Sequence, residues 1–383
     1  MASPFKGHLP ALDGVRGLAI GLVLLVHFIG DMPVTDPFEK VVMQACSYGS
    51  FGVDLFFVLS GFLITGILFD AKQKPFYFKN FYIRRTLRIF PLYFAVLAVI
   101  FLVLRFIPFF QGPAMDEMVA RQGWAWTYAI NIHIAREGHW SLPYIGHFWS
   151  LAVEEHFYFI WPLIVWLCPR PLLLKVCLGF VLGALGLRMA MYFGGANALA
   201  IYTLTPCRFD ALAIGGFLAV AVRGDGAPEQ ATAWLRKAGL LLGAGSASFN
   251  VLTAGLNAKT DFGRNVFRPL RETAWAFCFA GVVAFALTSS PASVGGRFFA
   301  SRPLTFLGKY SYGLYVFHAM LSYALNERHA LDWFLTWIPQ HFVAILVQAT
   351  LSISASILIA VLSYHGFEQR FLALKVKYEA PKV

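Results

Sequence analysis

The stretch LDGVRGLAIGLVLLVHF, residues 12–28, decides the fold class of this chain. It is apolar over nearly the length of about 20 residues that a helix needs to cross a bilayer, yet it contains Arg16 and His27. On an α-helix this spacing brings the two side chains to within about 20° of one face, separated by about 16 Å along the axis. Ionisable residues inside such a span are costly and therefore indicate function. The stretch predicts a membrane helix whose cation and imidazole face one cavity.

The rest of the chain repeats this apolar character. Of its 383 residues, 58% are hydrophobic and only 13% are charged, whereas a soluble domain carries about 25% charged residues. The sequence therefore predicts an all-α polytopic membrane protein of about ten transmembrane helices, forming a single transmembrane domain over residues 1–383. The predicted spans are 12–30, 50–69, 87–108, 149–167, 172–193, 199–222, 234–256, 272–289, 303–325 and 340–364.

The distribution of Lys and Arg predicts the orientation of these spans. Basic residues are concentrated in the loop that follows the second span and at the C-terminus, and such loops face the cytoplasm. We therefore expect both termini to be cytoplasmic and the loop 109–148 to face outward. One basic loop, 257–271 with Arg264, falls on the outer side and does not fit. The net charge of +11 favours contact with anionic membrane lipid, and its dispersal over loops argues against a nucleic-acid partner.

Three ionisable residues are predicted to lie at similar depth near the outer face. His27, Asp54 and Glu154 lie three, four and five residues from the outer ends of the first, second and fourth spans. A neutral imidazole with a carboxylate behind it can accept a proton from a hydroxyl. Each residue alone could equally make a hydrogen bond that packs two helices. Together they favour a site at which His27 is the base and Asp54 or Glu154 orients it.

The fourth span carries a polar stripe. Ser150, Glu154 and Tyr158 recur at every fourth position and so share one face of the helix. The stripe faces a polar interior in this interpretation, which makes Ser150 and Tyr158 further candidate site residues.

The third span begins with a cationic cluster. Arg85 and Arg88 are spaced to share a helical face, and they lie at the predicted cytoplasmic entrance together with Arg16. Anchoring by positive charge explains Arg84 well enough. Three guanidinium groups at one entrance favour a phosphate-rich ligand instead, because they pair bidentately with phosphate oxygens.

Two later spans add buried polar residues. Arg208 and Asp210 lie about 200° apart on a helix, so we expect each to pair with a residue of another helix. In the ninth span, Tyr315 is expected to be structural, while a structural and a functional role remain equally open for His318. Glycines in the second and sixth spans allow helices to approach closely, and they are Gly61, Gly215 and Gly216. The five cysteines have no metal-ligand spacing, and no metal site is predicted.

In these motifs the chain resembles the acyltransferase-3 family of integral-membrane O-acyltransferases, in the form without a fused extracytoplasmic esterase-like domain. The resemblance covers nearly the whole chain, and the order and spacing of the motifs are more specific than any one of them. In chain order the motifs are Leu12-Asp13-Gly14 with Arg16 and His27; Phe56-Phe57 with Ser60-Gly61-Phe62; Arg85 and Arg88 with Pro91 and Tyr93; Trp149-Ser150-Leu151 with Glu154 and Tyr158; Arg208 and Asp210; and Ser311-Tyr312-Gly313-Leu314-Tyr315 with His318.

The resemblance implies an acyl-CoA donor, usually acetyl-CoA, and O-acylation of a carbohydrate, glycan or other hydroxylated acceptor in the bacterial cytoplasmic (inner) membrane. It implies no permanently bound cofactor. It also implies that Arg16, His27, Arg85 and Arg88 matter for activity. Further candidate site residues that the motifs supply are Asp13, Ser60, Ser150, Tyr158, Arg208, Asp210, Tyr312 and His318.

Two functions follow as hypotheses. In the first, arginines hold the donor phosphates at the cytoplasmic side, and His27 either deprotonates the acceptor or transiently carries the acyl group. In the second, the buried His, Asp and Glu form the relay of a proton-coupled secondary transporter, against which stands the lack of a visible repeat. The loop 109–148 also carries aromatic residues that could stack on sugars or form an interfacial belt, namely Trp124, Trp126, Tyr128, His133, His139, Trp140, Tyr144 and His147.

Overall fold

The computed structural model describes residues 9–223, 228–259 and 268–378 of the chain. These residues form helices joined by short loops, and no β-strand occurs among them. Apolar segments fold this way in lipid because a helix satisfies its backbone polar groups internally. The long helices are α1 Pro10–Leu25, α2 Gly52–Ala71, α3 Tyr77–Leu102, α4 Trp149–Leu167, α5 Arg170–Phe193, α6 Thr205–Ala221, α7 Pro228–Lys259, α8 Arg268–Thr288, α9 Arg302–Glu327 and α10 His341–Ser363.

The predicted fold class is confirmed: the chain is an all-α polytopic membrane protein. Each predicted span coincides with one long helix, in order. Within the described ranges, seven helical segments are long and apolar enough to cross a membrane, and α4, α7 and α9 are not among them. In α4 the apolar run is interrupted by Glu154 and Glu155. The count of ten spans therefore stays a prediction. The cytoplasmic position of both termini also stays a prediction. The terminal residues 1–8 and 379–383, and the segment 260–267 with Arg264, lie outside the described residues.

One predicted boundary differs clearly from the structure. The third span was expected to begin at residue 87, but α3 begins at Tyr77 and runs for 26 residues. Arg84, Arg85 and Arg88 lower the hydropathy of its first turns, yet Arg is a good helix former. A long arginine side chain can also extend from a helix towards water. The helix therefore continues outside its apolar part.

The chain divides into two compact units, each discontinuous in sequence. The first unit takes the described parts of Met1–Ala19, Val53–Gln73 and Val153–Gly308, and the second takes those of Ile20–Gly52, Lys74–Ala152 and Lys309–Val383. The long helices α1, α4 and α9 contribute to both. The prediction of a single transmembrane domain stays a prediction.

Helix packing in the first unit depends on glycine. A Cβ atom on Gly61 of α2 would lie 1.9 Å from the carbonyl oxygen of Leu212, and one on Gly215 of α6 would lie 1.9 Å from that of Val58. A Cβ on Gly216 would lie 2.9 Å from the Thr65 hydroxyl oxygen. The expected packing role of all three glycines is thus confirmed, because only glycine lets these two helices approach so closely.

The second unit contains an irregular helical turn. After α1 ends, residues Val26–Gly30 form a π-helical turn that carries His27, and such turns occur frequently at functional sites. The turn contacts the short helix Pro37–Ser47 and α10. A small apolar core lies beside it, formed by Met32, Met43, Leu331, Ala344 and Ile345.

Two aromatic residues of the loop 109–148 pack against α3 in the second unit. The Tyr128 ring stacks on Tyr93 with centroids 4.1 Å apart, and the Trp126 ring stacks on Phe94 at 6.0 Å. Trp140 differs, because it is 54% exposed. Packing against α3 therefore accounts for Tyr128 and Trp126, and a role of Trp140 at a sugar or a membrane interface stays a prediction.

Candidate active site

His27 is held by a carboxylate four residues further along the chain. Its Nδ1 lies 3.1 Å from Oδ2 of Asp31. A carboxylate can only accept a hydrogen bond, so the His27 Nδ1 carries the proton and Nε2 keeps a lone pair in the neutral ring. The side chains are 34% and 51% exposed, so a substrate can reach this pair.

Asp31 occupies the position expected of Asp54 or Glu154. The sequence analysis did not single it out, although the spacing HFIGD after the apolar run was a usable signal. Asp54 lies in the first unit, where it accepts a hydrogen bond from the Arg208 guanidinium and forms an ion pair with it. The orienting roles of Asp54 and Glu154 stay predictions.

His318 lies beside His27. The two ring centroids are 5.0 Å apart and the ring planes are tilted by 49°. The His318 Nδ1 donates to the carbonyl oxygens of Tyr315 at 2.8 Å and Leu314 at 3.1 Å. Its Nε2 is buried and has no hydrogen-bond partner among the described residues, and the residue as a whole is 0% exposed.

His147 completes a group of three imidazoles. Its ring centroid lies 5.2 Å from that of His318, and its Nε2 donates to the Val316 carbonyl oxygen at 3.2 Å. Burial, with a smaller effect of the nearby His27, lowers the pKa of His147 to about 3, so its ring is neutral at neutral pH. We call His27, His147 and His318 the histidine cluster.

Neighbouring side chains fix the backbone of the cluster. The Tyr315 hydroxyl donates to the His147 carbonyl oxygen at 2.9 Å and contacts the Ser150 hydroxyl. The Ser322 hydroxyl donates to the His27 carbonyl oxygen at 2.9 Å. The expected structural role of Tyr315 is confirmed by this contact, and any role of Ser150 in catalysis stays a prediction.

From the sequence, His147 was expected only to be one of the aromatic residues of the outer loop. The chain before His147 turns back so that this residue contacts α9. Two residues of that turn, Leu142 and Tyr144, have φ values of 60° and 62°. Non-glycine residues rarely adopt this left-handed conformation. The available signal was the position of His147 directly before the polar stripe of α4. Despite the three imidazoles, no group of three or more metal-ligating side chains with suitable geometry occurs in the described ranges.

The predicted donor-site arginines lie on different parts of the fold. Arg85 and Arg88 are half-buried on α3 in the second unit. The next residue, Ile89, accepts a hydrogen bond from the Tyr312 hydroxyl at 2.7 Å, which joins α9 to the middle of α3. Arg16 belongs to the first unit and donates to Asp13 at 2.7 Å. Convergence of the three guanidinium groups on one ligand stays a prediction.

The first unit holds a separate buried polar network. Arg208 and Asp210 do not pair with each other, as predicted: Arg208 pairs with Asp54, and Asp210 pairs with Arg188 at 2.7 Å. Thr273 also donates to Asp210 at 2.7 Å. Arg188 is 0% exposed, and the sequence analysis missed it.

Two more candidate residues meet in the first unit. The hydroxyls of Ser60 on α2 and Tyr158 on α4 are 2.6 Å apart. Together with the glycine contact of Gly61, this places the Ser-Gly motif at a packed helix junction. The hydrogen bond explains why a small hydroxyl precedes the glycine there, and any role of these two residues in catalysis stays a prediction.

Comparison with known proteins identifies the family of the chain. The model of a family described as an acyltransferase domain matches residues 9–365. The chain belongs to the acyltransferase-3 family. Among curated relatives, the peptidoglycan O-acetyltransferase OatA of Listeria monocytogenes is 29% identical over 82% of this chain and 49% of its own length. The O-acetyltransferase OatA of Staphylococcus aureus is 26% identical over 84% of this chain and 51% of its own length.

This acyltransferase-3 chain thus spans about half the length of the curated relatives it matches. No solved structure matches it. The matched range contains all three members of the histidine cluster, Asp31 and the α3 arginines.

Proposed function

We propose that this chain is an integral-membrane O-acyltransferase that moves an acyl group, with acetyl expected, from cytoplasmic acyl-CoA to a hydroxyl of a glycan. The observation that carries the proposal is the hydrogen bond between Asp31 and His27 in a member of an acyltransferase family. It leaves the imidazole with one fixed, protonated nitrogen and one basic nitrogen. This is the state that a general base requires.

The direct reaction uses this basic nitrogen. His27 Nε2 takes the proton of the acceptor hydroxyl while the hydroxyl oxygen bonds to the thioester carbon. The carbon–sulfur bond then breaks, and the proton returns to the departing thiolate. Asp31 stabilises the imidazolium that exists between these events. In the covalent variant of the reaction, Nε2 first carries the acyl group itself. Both variants use the same two residues.

The donor is acyl-CoA in this proposal. Arg85 and Arg88 bind its phosphates at the cytoplasmic side, because guanidinium pairs bidentately with phosphate oxygens. A role of Arg16 in donor binding is a separate expectation from the family resemblance. The thioester end extends towards His27. The donor is a substrate, and no permanently bound cofactor is part of the proposal.

The acceptor is a glycan hydroxyl on the outer side of the bacterial cytoplasmic membrane. Two observations support this class: the curated relative from Listeria is named a peptidoglycan O-acetyltransferase, and Trp140 is exposed in the loop that we expect to face outward. An exposed aromatic ring can stack on a sugar. Anionic lipid is the expected surrounding, given the net charge of +11.

Purified protein in lipid nanodiscs tests the proposal. It is incubated with acetyl-CoA carrying a labelled acetyl group, with and without peptidoglycan fragments, and both free CoA and labelled glycan are measured. We expect CoA release that depends on the glycan and a labelled ester on the glycan. Solute counterflow in proteoliposomes without any cleavage of acetyl-CoA would overturn the proposal in favour of a proton-coupled transporter.

A further inference from the structure

The π-helical turn at His27 frees the backbone carbonyl oxygen of that residue. In an α-helix this oxygen accepts a hydrogen bond from the amide four residues later, which is that of Asp31. In a π-helix the donor is the amide five residues later, which is that of Met32. Here the Asp31 amide donates to the Val26 carbonyl oxygen at 2.8 Å, and the Met32 amide donates to that of Ile29 at 3.2 Å. Both regular donors are therefore used elsewhere.

A side chain from another helix takes this acceptor. The Ser322 hydroxyl on α9 donates to the His27 carbonyl oxygen at 2.9 Å. Ser322 is only 7% exposed, so water cannot readily replace its hydroxyl, and a buried carbonyl oxygen without a donor is costly. In a regular α-helix the Asp31 amide would satisfy the same oxygen. The Ser322 hydroxyl therefore stabilises the π-helical register against the α-helical one.

The helical register matters because it sets how His27 and Asp31 face each other. A π-helical turn contains more residues than an α-helical turn, so a return to the α-helical register would change the angle between the two side chains about the helix axis. Asp31 directly follows the turn, and its Oδ2 lies 3.1 Å from the His27 Nδ1. This contact belongs to the π-helical register.

The Ser322 contact is part of a wider junction between α9 and the turn. His318 lies one helical turn before Ser322, and its ring centroid is 5.0 Å from that of His27. The same side of α9 thus contacts the ring and the backbone of His27. The turn is also packed by a different element, because a Cβ on Gly30 would lie 2.9 Å from the Ser47 backbone nitrogen. That packing limits the space around the turn but supplies no donor to the His27 carbonyl oxygen.

We propose that Ser322 is a positioning residue of the acyl transfer, an inference that rests on the proposed function. Its hydroxyl holds the turn in the register in which Asp31 binds the His27 Nδ1 and Nε2 is left as the base. Ser322 does not touch the reacting atoms, and it acts through the pair of His27 and Asp31.

Ser322→Ala tests the inference by removing the hydroxyl and little else. We expect acetyl-CoA binding and KM to be unchanged and kcat to fall about 5- to 50-fold, within the range that an unsatisfied buried acceptor allows. Ser352→Ala is the matched control, because Ser352 is 5% exposed and its hydroxyl donates to the Gln348 carbonyl oxygen inside α10 at 2.7 Å. An undiminished kcat in Ser322→Ala would overturn the inference.

A double-mutant cycle separates positioning from a general loss of stability. If Ser322 acts through Asp31, the two effects are coupled and do not add. We expect Ser322→Ala to reduce kcat clearly less in an Asp31→Ala background than in the unmodified protein. Equal fold-losses in the two backgrounds would show that Ser322 does not act through Asp31, and the inference would be wrong.

Amide hydrogen exchange of residues 26–32 measures the turn without any activity. We expect faster exchange in Ser322→Ala than in Ser352→Ala or the unmodified protein, because a turn that has lost its donor opens more often. Equal exchange in all three would contradict the inference. If Ser322→Ala does not fold, Ser322→Cys keeps the size of the side chain with only a weak S–H donor, and the same results decide the question there.

The two proposals fail in different ways. If the unmodified protein does not transfer the acetyl group from acetyl-CoA at all, the proposed function is wrong and this inference falls with it. If it does transfer the group but gives any of the contrary results above, the function stands and only the positioning role of Ser322 is wrong.

Discussion

Asp31 follows directly after the π-helical turn that carries His27, and its Oδ2 lies 3.1 Å from the His27 Nδ1. The turn and the hydrogen bond together fix which imidazole nitrogen is basic. The orientation of the His27 ring therefore comes from a local feature of about one helical turn.

Asp31→Asn tests this dependence. The amide can still accept the hydrogen bond but carries no charge, so it stabilises the imidazolium less. We expect kcat to fall about 10- to 100-fold, less than the loss of the base itself, with KM little changed. Asp332→Asn is the matched control, because Asp332 lies 3.7 Å from His329 in an exposed pair. Equal activity of both variants would contradict the role of Asp31.

His27→Gln tests the base itself. Glutamine keeps the size and the hydrogen bonding of the side chain but cannot take a proton at neutral pH. We expect turnover to fall by about 10²–10⁴, while protein level and acetyl-CoA binding survive. A His27→Gln protein with near-normal transfer would falsify the assignment and shift attention to Glu154 and His318.

Arg85→Ala and Arg88→Ala test the donor site. Each should weaken acyl-CoA binding by about 1.5–3 kcal/mol, the range for hydrogen bonds to charged groups, as measured by equilibrium binding. Arg88→Lys should not restore the affinity fully, because an ammonium cannot make the bidentate contact. Arg84→Ala is the control, since membrane anchoring explains that residue. Unchanged acyl-CoA binding in both alanine variants would mean that Arg85 and Arg88 only help to set the orientation of the helix in the membrane.

Asp54→Asn tests the buried ion pair of the first unit. It leaves the Arg208 guanidinium without its countercharge, and breaking a buried pair from one side costs about 3–5 kcal/mol of unfolding free energy. Glu117→Gln, in a half-exposed pair with Arg121, should cost about 0–1 kcal/mol. Reversible unfolding in mixed micelles measures both. Similar small losses in the two variants would mean that the Asp54 pair is well hydrated.

Labelling of single cysteines tests the orientation. In a background in which the five native cysteines are replaced, Trp140→Cys should react with an impermeant maleimide added outside intact cells. Pro75→Cys should react only after the membrane is opened. Both positions are exposed. Reaction of residue 75 from outside would invert the predicted topology.

The helices were predictable because the property that forms them is local. Twenty apolar residues in lipid have few alternatives to a helix, and each predicted span coincides with one. The start of α3 at Tyr77 was missed because hydropathy ends at the arginines, whereas backbone hydrogen bonding does not.

The site was predictable in part. The separate partners of Arg208 and Asp210 follow from their spacing along a regular helix, and His27 was singled out as an ionisable residue in an apolar run. Asp31 and His147 do not, because the first depends on a π-helical turn and the second on the left-handed residues Leu142 and Tyr144. Neither the π-helical turn nor the left-handed residues produce a repeating spacing of residue types, so neither can be recognised from the sequence. Arg188 was missed because its partner lies on another helix.

The His27 and His318 side chains differ in exposure, and this difference affects the hydrolysis of acyl-CoA by water. Water is far more concentrated than any sugar hydroxyl and competes with it for an activated acyl group. The His27 side chain is 34% exposed, whereas His318 is 0% exposed, so the inner end of the pair is dry. An active site that excludes water suppresses such side reactions. The burial of His318 therefore affects how much acyl-CoA is hydrolysed when no acceptor is bound.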